Sequence, residues 1–145
     1  MKWPNDLYFG DQKLGGVLIE NSLGGAKIQH SIVGMGLNVN QEQFGVGTAT
    51  SLARLTGGRC YPLPAVAARL LECLERRYLQ LRAGQLGTLR QAYLQSLYRY
   101  QETHSFEVDG RLVAGQIVGV DEDGRLAVAI GGELRRFGLQ EIRYR

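Results

Sequence analysis

Apolar and polar positions alternate in short runs at both ends of this chain and follow a helical period between them. Leu7-Tyr8-Phe9 is β-prone, Gly10-Asp11 is turn material, and Leu14 to Glu20 (LGGVLIE) reads as a second strand, so the opening residues predict a hairpin. Pro4 lacks a backbone donor, which makes Lys2 and Trp3 approach that hairpin as edge or loop. After a turn at Asn21–Gly25, Gln29 to Asn40 (QHSIVGMGLNVN) is a third β-prone run, interrupted by Gly34 and Gly36. Glycines at alternate positions leave two bare spots on one strand face, suited to close approach of a ligand or of another backbone.

Gln41 to Pro64 is a Gly/Thr/Ser-rich connection, of a length more often functional than packed, with the start of a short helix at Ala49–Ala53. The period then changes. Val66, Leu70, Leu74, Tyr78 and Leu81 recur at three- and four-residue steps, predicting an amphipathic helix over 65–81. Leu86, Leu89, Tyr93 and Leu97 predict a second helix from 86 to about 100. From Thr103 the pattern alternates again, with strands at 105–108, 111–120, 125–130, 133–137 and 142–144. Asp109-Gly110, Asp123-Gly124 and Gly131-Gly132 separate them, and such pairs are the strongest short hairpin signals. Five short meandering strands predict a small closed barrel.

Composition narrows the class. The chain has 145 residues, a net charge of +3, 44% hydrophobic and 21% charged residues, as expected of one globular domain or one domain with a small appendage. No block of like charge points to a dedicated DNA-binding or membrane-surface protein. No apolar run approaches a membrane span, and no signal-peptide pattern opens the sequence. Cys60 and Cys73 fit no metal spacing and read as reduced thiols. His30 and His104 read as structural or surface residues. The Gly34/Gly36 pair lacks the third glycine of a dinucleotide-binding turn, and no phosphate-binding P-loop occurs.

Candidate chemistry gathers at the start. Lys2, Asp6 and Lys13 fall on or near one hairpin, and Gly15-Gly16 leaves part of it without side chains, which suits an anionic ligand. Lys2–Asp6 (KWPND) followed by Lys13–Gly16 (KLGG) closely resembles the hallmark of the biotin protein ligases. Gly34–Asn40 (GMGLNVN) resembles that family's GxGxNxN strand end, and Gly115–Gly124 its C-terminal barrel. The resemblance implies an α+β fold, with part of a class II synthetase-like sheet and two helices over 1–100 and an SH3-like barrel over 103–145. It implies activation of biotin by ATP to biotinyl-5′-AMP and transfer to a lysine of the biotin carboxyl carrier protein of acetyl-CoA carboxylase.

By the same resemblance Lys13, Lys2 and Asp6 are catalytic. Lys13, Gly15, Gly16, Val17, Gly34 and Gly36 line the biotin side. Lys2, Asn5, Lys13 and Asn38 meet ATP, and Asp6 with Asn5 would hold Mg²⁺. Phe44 is assigned as an apolar plug in the loop over the adenylate. A cytoplasmic location follows from the family and the reduced thiols. The arginine/glycine-rich loop that the family carries ahead of KWPND does not occur in these residues. The chain is therefore expected to correspond to the C-terminal half of the catalytic domain plus the barrel, with an exposed sheet that invites a homodimer. The alternatives are a non-catalytic remnant or binding module and, sharing the fold, a lipoate–protein ligase.

Overall fold

The computed structural model describes residues 1–25, 27–45 and 47–145. It divides into two compact units, residues 1–84 and 85–145.

In the first unit, β1 (Asp6–Phe9), β2 (Gln12–Gly24) and β3 (Lys27–Leu37) form an antiparallel sheet in that order. Strand β2 runs through the turn expected at Asn21–Gly25. Asn21 faces Ser31 across the ladder, and the Ser31 hydroxyl donates to Asn21 Oδ1 at 2.6 Å, so these turn-prone side chains knit strands together. Helix α1 (Leu52–Leu55) begins one turn later than expected, because Ser51 Oγ caps it by accepting from the Arg54 amide. Helix α2 (Leu63–Arg82) starts earlier, with proline in its first turn where no amide partner is needed.

Both expected helices form, and two features describe how they pack. Helix α2 has no buried residue, and Leu71, Leu74, Tyr78 and Leu81 stay exposed. Between α2 and β3 lies an open groove of about 970 Å³, walled on the sheet side by Ile28, His30 and Val33. The apolar stripe is real, but within this unit no layer comes between it and the sheet. The second concerns α3 (Leu86–Gln95), which falls in the compact unit 85–145. Arg90 Nη2 donates to the Val120 carbonyl at 3.0 Å, and Leu94 packs over Gly119. The helix stops at Gln95 rather than near Tyr100, since Arg99 and Gln101 adopt φ of 59° and 60°.

The second unit holds β4 (Thr103–Val108), β5 (Arg111–Val120), β6 (Leu126–Ile130), β7 (Glu133–Phe137) and β8 (Ile142–Tyr144). All five expected strands form one antiparallel sheet in the order β7-β6-β5-β4-β8. Asp109-Gly110 and Gly131-Gly132 have positive φ at both central positions, as the tightest hairpins require. Phe106, Ile117, Leu126 and Val128 are fully buried, and such burial stabilises by about 1.5–3 kcal/mol per side chain. The closed barrel is not observed: β7 and β8 are the two edges of the described sheet. Strand β8 is only three residues long and pairs with β4 alone among the described strands.

Candidate functional site

The site is built on the β1–β2 hairpin. Asp6 pairs with Gly16 across the ladder, so both occupy one sheet face. A Cβ placed on Gly16 would lie 3.3 Å from Asp6 Oδ1, which puts the carboxylate over that bare backbone. Lys13 Nζ meets the same oxygen at 2.6 Å, its side chain 46% exposed. A charge pair this open contributes roughly 0–1 kcal/mol, so the ammonium is held in place while remaining available to an anion. Gly16 in turn faces Gly36, and Leu18 faces Gly34, extending the bare strip along β3.

Gly15 occupies the opposite parity and is buried. A Cβ there would run into the carbonyl oxygen of Gly36, so this glycine serves close strand packing rather than an open pocket. Val17 lies half-buried opposite Met35, and its amide donates to the Asn5 carbonyl at 2.8 Å, tying KWPND to β2. Lys2 bridges to Asp6 through the backbone, while its Nζ donates to Tyr8 Oη at 3.3 Å and lies 4.7 Å from the ring centroid. Tyr8 was not singled out in the sequence. Its position two residues after Asp6 on a strand, hence on the same face, was the available signal.

A second segment, read in the sequence only as the start of a short helix, secures Lys13 from the far side. Lys13 accepts from Thr50 N at 2.9 Å and donates to Thr48 O at 2.7 Å, forming a short parallel bridge. Asn38, at the end of β3, donates through Nδ2 to the Thr50 carbonyl at 3.0 Å. Thr50 and Ser51 are fully buried. Asn40 closes the loop beyond by pairing both ways with the backbone of Tyr61, at 2.8 Å each. Phe44 is half-buried and stacks with the Arg54 guanidinium at 5.6 Å.

The structure thus brings together Lys2, Asn5, Asp6, Lys13, Gly16, Val17, Gly34, Gly36 and Asn38 on one sheet, with Gly15 buried beneath. Among the described residues no three His, Cys, Asp or Glu side chains gather as metal ligands. His104 pairs with Glu102 at 2.8 Å, and both cysteines are free and exposed. No helix is long and apolar enough to cross a membrane.

Residues 1–38 match the model of the biotin/lipoate A/B protein ligase family. The biotin–protein ligase of Homo sapiens is 30% identical over 142 residues, covering 92% of this chain and 19% of that protein. The biotin–[acetyl-CoA-carboxylase] ligase of Mycobacterium tuberculosis is 32% identical over 133 residues, covering 91% of this chain and 48% of that one. The Aquifex aeolicus biotin protein ligase in complex with biotin and ATP superposes with a TM-score of 0.75 at 25% identity, over 100% of this chain and 62% of that one. The chain spans about half or less of the length of these curated relatives. In sequence and in fold, its likeness is to biotin protein ligases.

Proposed function

We propose that this chain, similar along its length to the biotin protein ligases, carries one wall of a site that activates biotin with ATP and transfers it to a carrier lysine. The observation that carries the reading is Lys13, held by Asp6 over the bare Gly16–Gly36 rung. Adenylation joins the biotin carboxylate to the α-phosphorus of ATP as pyrophosphate leaves. Transfer joins the biotinyl carbonyl to a lysine amine as AMP leaves. Both steps concentrate negative charge on oxygen, and a fixed ammonium beside open backbone favours that charge.

In this reading Lys13 faces the carboxylate and α-phosphate, with Lys2 as the second cation. Gly16, Gly34 and Gly36 leave one face bare for the flat biotin ring system, while Gly15 and Val17, on the opposite parity, keep the strands close beneath it. Asn5 and Asn38 mark the nucleotide side. Asp6 is suited to orient the incoming lysine of the biotin carboxyl carrier protein. Asp6 and Asn5 offer Mg²⁺ one carboxylate and one neutral ligand, too few to hold it without other ligands. Such an ion would come with the nucleotide phosphates and retained waters. Biotin rather than lipoate is favoured by the names of the full-length relatives.

The activity test is biotin-dependent ATP–pyrophosphate exchange on the 145-residue chain. With the Lys13 face open to water, each charge pair contributes about 1 kcal/mol. Weak biotin binding without enzyme-like exchange is expected. Robust exchange with micromolar binding would overturn the view that these residues supply one wall only.

A further inference from the structure

We infer that Asn38 is a positioning residue for Lys13, acting through the Thr48–Ser51 segment, of which Thr50 and Ser51 are buried. The inference rests on the reading that Lys13 is the ammonium that meets the reacting anion.

Each end of the linkage is defined. Asn38 is a backbone hub: its amide donates to Leu14 O at 2.9 Å and its carbonyl accepts from Leu52 N at 3.0 Å. Those bonds place the residue, and would form with any side chain. The side-chain bond from Nδ2 to Thr50 O is the one that needs asparagine. It fixes the residue whose own amide bonds to Lys13 O, while Lys13 N bonds to Thr48 O. Lys13 is thereby clamped on its free backbone edge by a segment that has no other regular strand partner among the described residues.

Burial supports the same assignment. Thr50 and Ser51 are 1% and 0% exposed, in a unit whose other fully covered side chains are few. A polar segment so enclosed must have its hydrogen bonds met internally. Loss of the Asn38 donor would leave Thr50 O unsatisfied and free Thr48–Ser51 to shift. The backbone of Lys13 would shift with it, displacing Nζ from Asp6 Oδ1. Asn40 offers an internal contrast. It also pins the loop through two side-chain bonds, but to Tyr61, eleven residues beyond Thr50 and without contact to Lys13.

The test uses the 145-residue chain without nucleotide, so that an adenine contact by Asn38 contributes nothing. Lysine acetylation by an N-hydroxysuccinimide ester is followed by mass spectrometry, with exposed Lys27 as the internal reference. In Asn38→Ala the Lys13/Lys27 rate ratio should change at least about twofold, and amide exchange at Lys13 and Thr50 should quicken about fivefold. Exchange along the β2–β3 ladder should hold steady. Asn40→Ala should leave the Lys13/Lys27 ratio at its parent value. An unchanged ratio in Asn38→Ala, or an equal change in Asn40→Ala, would overturn the inference. If Asn38→Ala does not fold, Asn38→Ser carries the same comparison, since its hydroxyl is too short to reach Thr50 O. In the unaltered chain, the Lys13 and Thr50 amides should open together and separately from Tyr61. Independent opening would also overturn it. None of these readouts requires biotin, so failure of the ligase reading would be seen separately, in the exchange assay.

Discussion

At Gly15 an added Cβ would penetrate the carbonyl oxygen of Gly36, whereas at Gly34 the nearest atom, Leu18 O, would be 3.7 Å away. Two glycines of one sheet therefore have different reasons for lacking a side chain. Gly15→Ala should destabilise the chain by about 1–3 kcal/mol in urea unfolding, because β2 and β3 must separate to admit the methyl group. Gly34→Ala should be neutral or stabilising by up to about 1 kcal/mol, since strand glycine carries an entropic cost. Equal effects would contradict this placement. Sequence spacing alone read all four glycines as potential ligand wall. Alternation identified which of them share a face. Which face is closed by neighbouring backbone depends on the β2–β3 register, with Gly15 opposite Leu37, and no local pattern specifies that.

Elements were legible in proportion to their local signals. The C-terminal strands were marked by Asp-Gly and Gly-Gly turns and appear at nearly the expected boundaries. Helix α2 was marked by its stripe, but periodicity says only that a face is apolar, not what covers it. Closure of the C-terminal sheet was illegible for a similar reason: it depends on whether a three-residue β8 reaches a distant edge. That strand is held by its ladder to β4 and by the burial of Ile142, with charge pairs beside it. Glu107 receives the Arg145 Nε donor at 2.9 Å, with Arg143 Nη1 at 3.9 Å. The Arg145 hydrogen bond, helped by the charges of Arg145 and Arg143, holds the Glu107 carboxyl below its ordinary value against a smaller opposing effect of burial. A carboxyl with a lowered folded-state pKa adds stability above its unfolded-state value and loses it as pH falls through the folded one. Amide protection across β4–β8 should therefore decline at acid pH, below the ordinary glutamate range. Glu107→Gln should weaken that protection at neutral pH and remove its acid-dependent step. An acid step that persists in the variant would assign it to another carboxylate.

At the scale of the molecule, the two units differ in how they satisfy their own surfaces. The C-terminal unit buries a continuous set of side chains from Leu97 to Ile142. The N-terminal unit exposes Leu18, Ile19, Ile28 and Ile32 on its sheet and the stripe of α2 across the groove. The relatives carry further chain beyond the region they share with this one. The hallmark residues of the site were legible because they cluster within sixteen positions of one hairpin. The Thr48–Ser51 clamp was not, because its partners Lys13 and Asn38 lie far from it in sequence.

The claim that these residues form one wall of a biotin-adenylate site is tested most directly by amide chemical-shift mapping of the 145-residue chain during titration with biotin. Weak, saturable shifts are expected at Lys13–Val17 and Gly34–Asn38, and they should vanish in Lys13→Ala while its stability changes by less than about 1 kcal/mol. Shifts confined to the β3–α2 groove or to the C-terminal sheet, or no shifts at all at saturating biotin, would contradict the account.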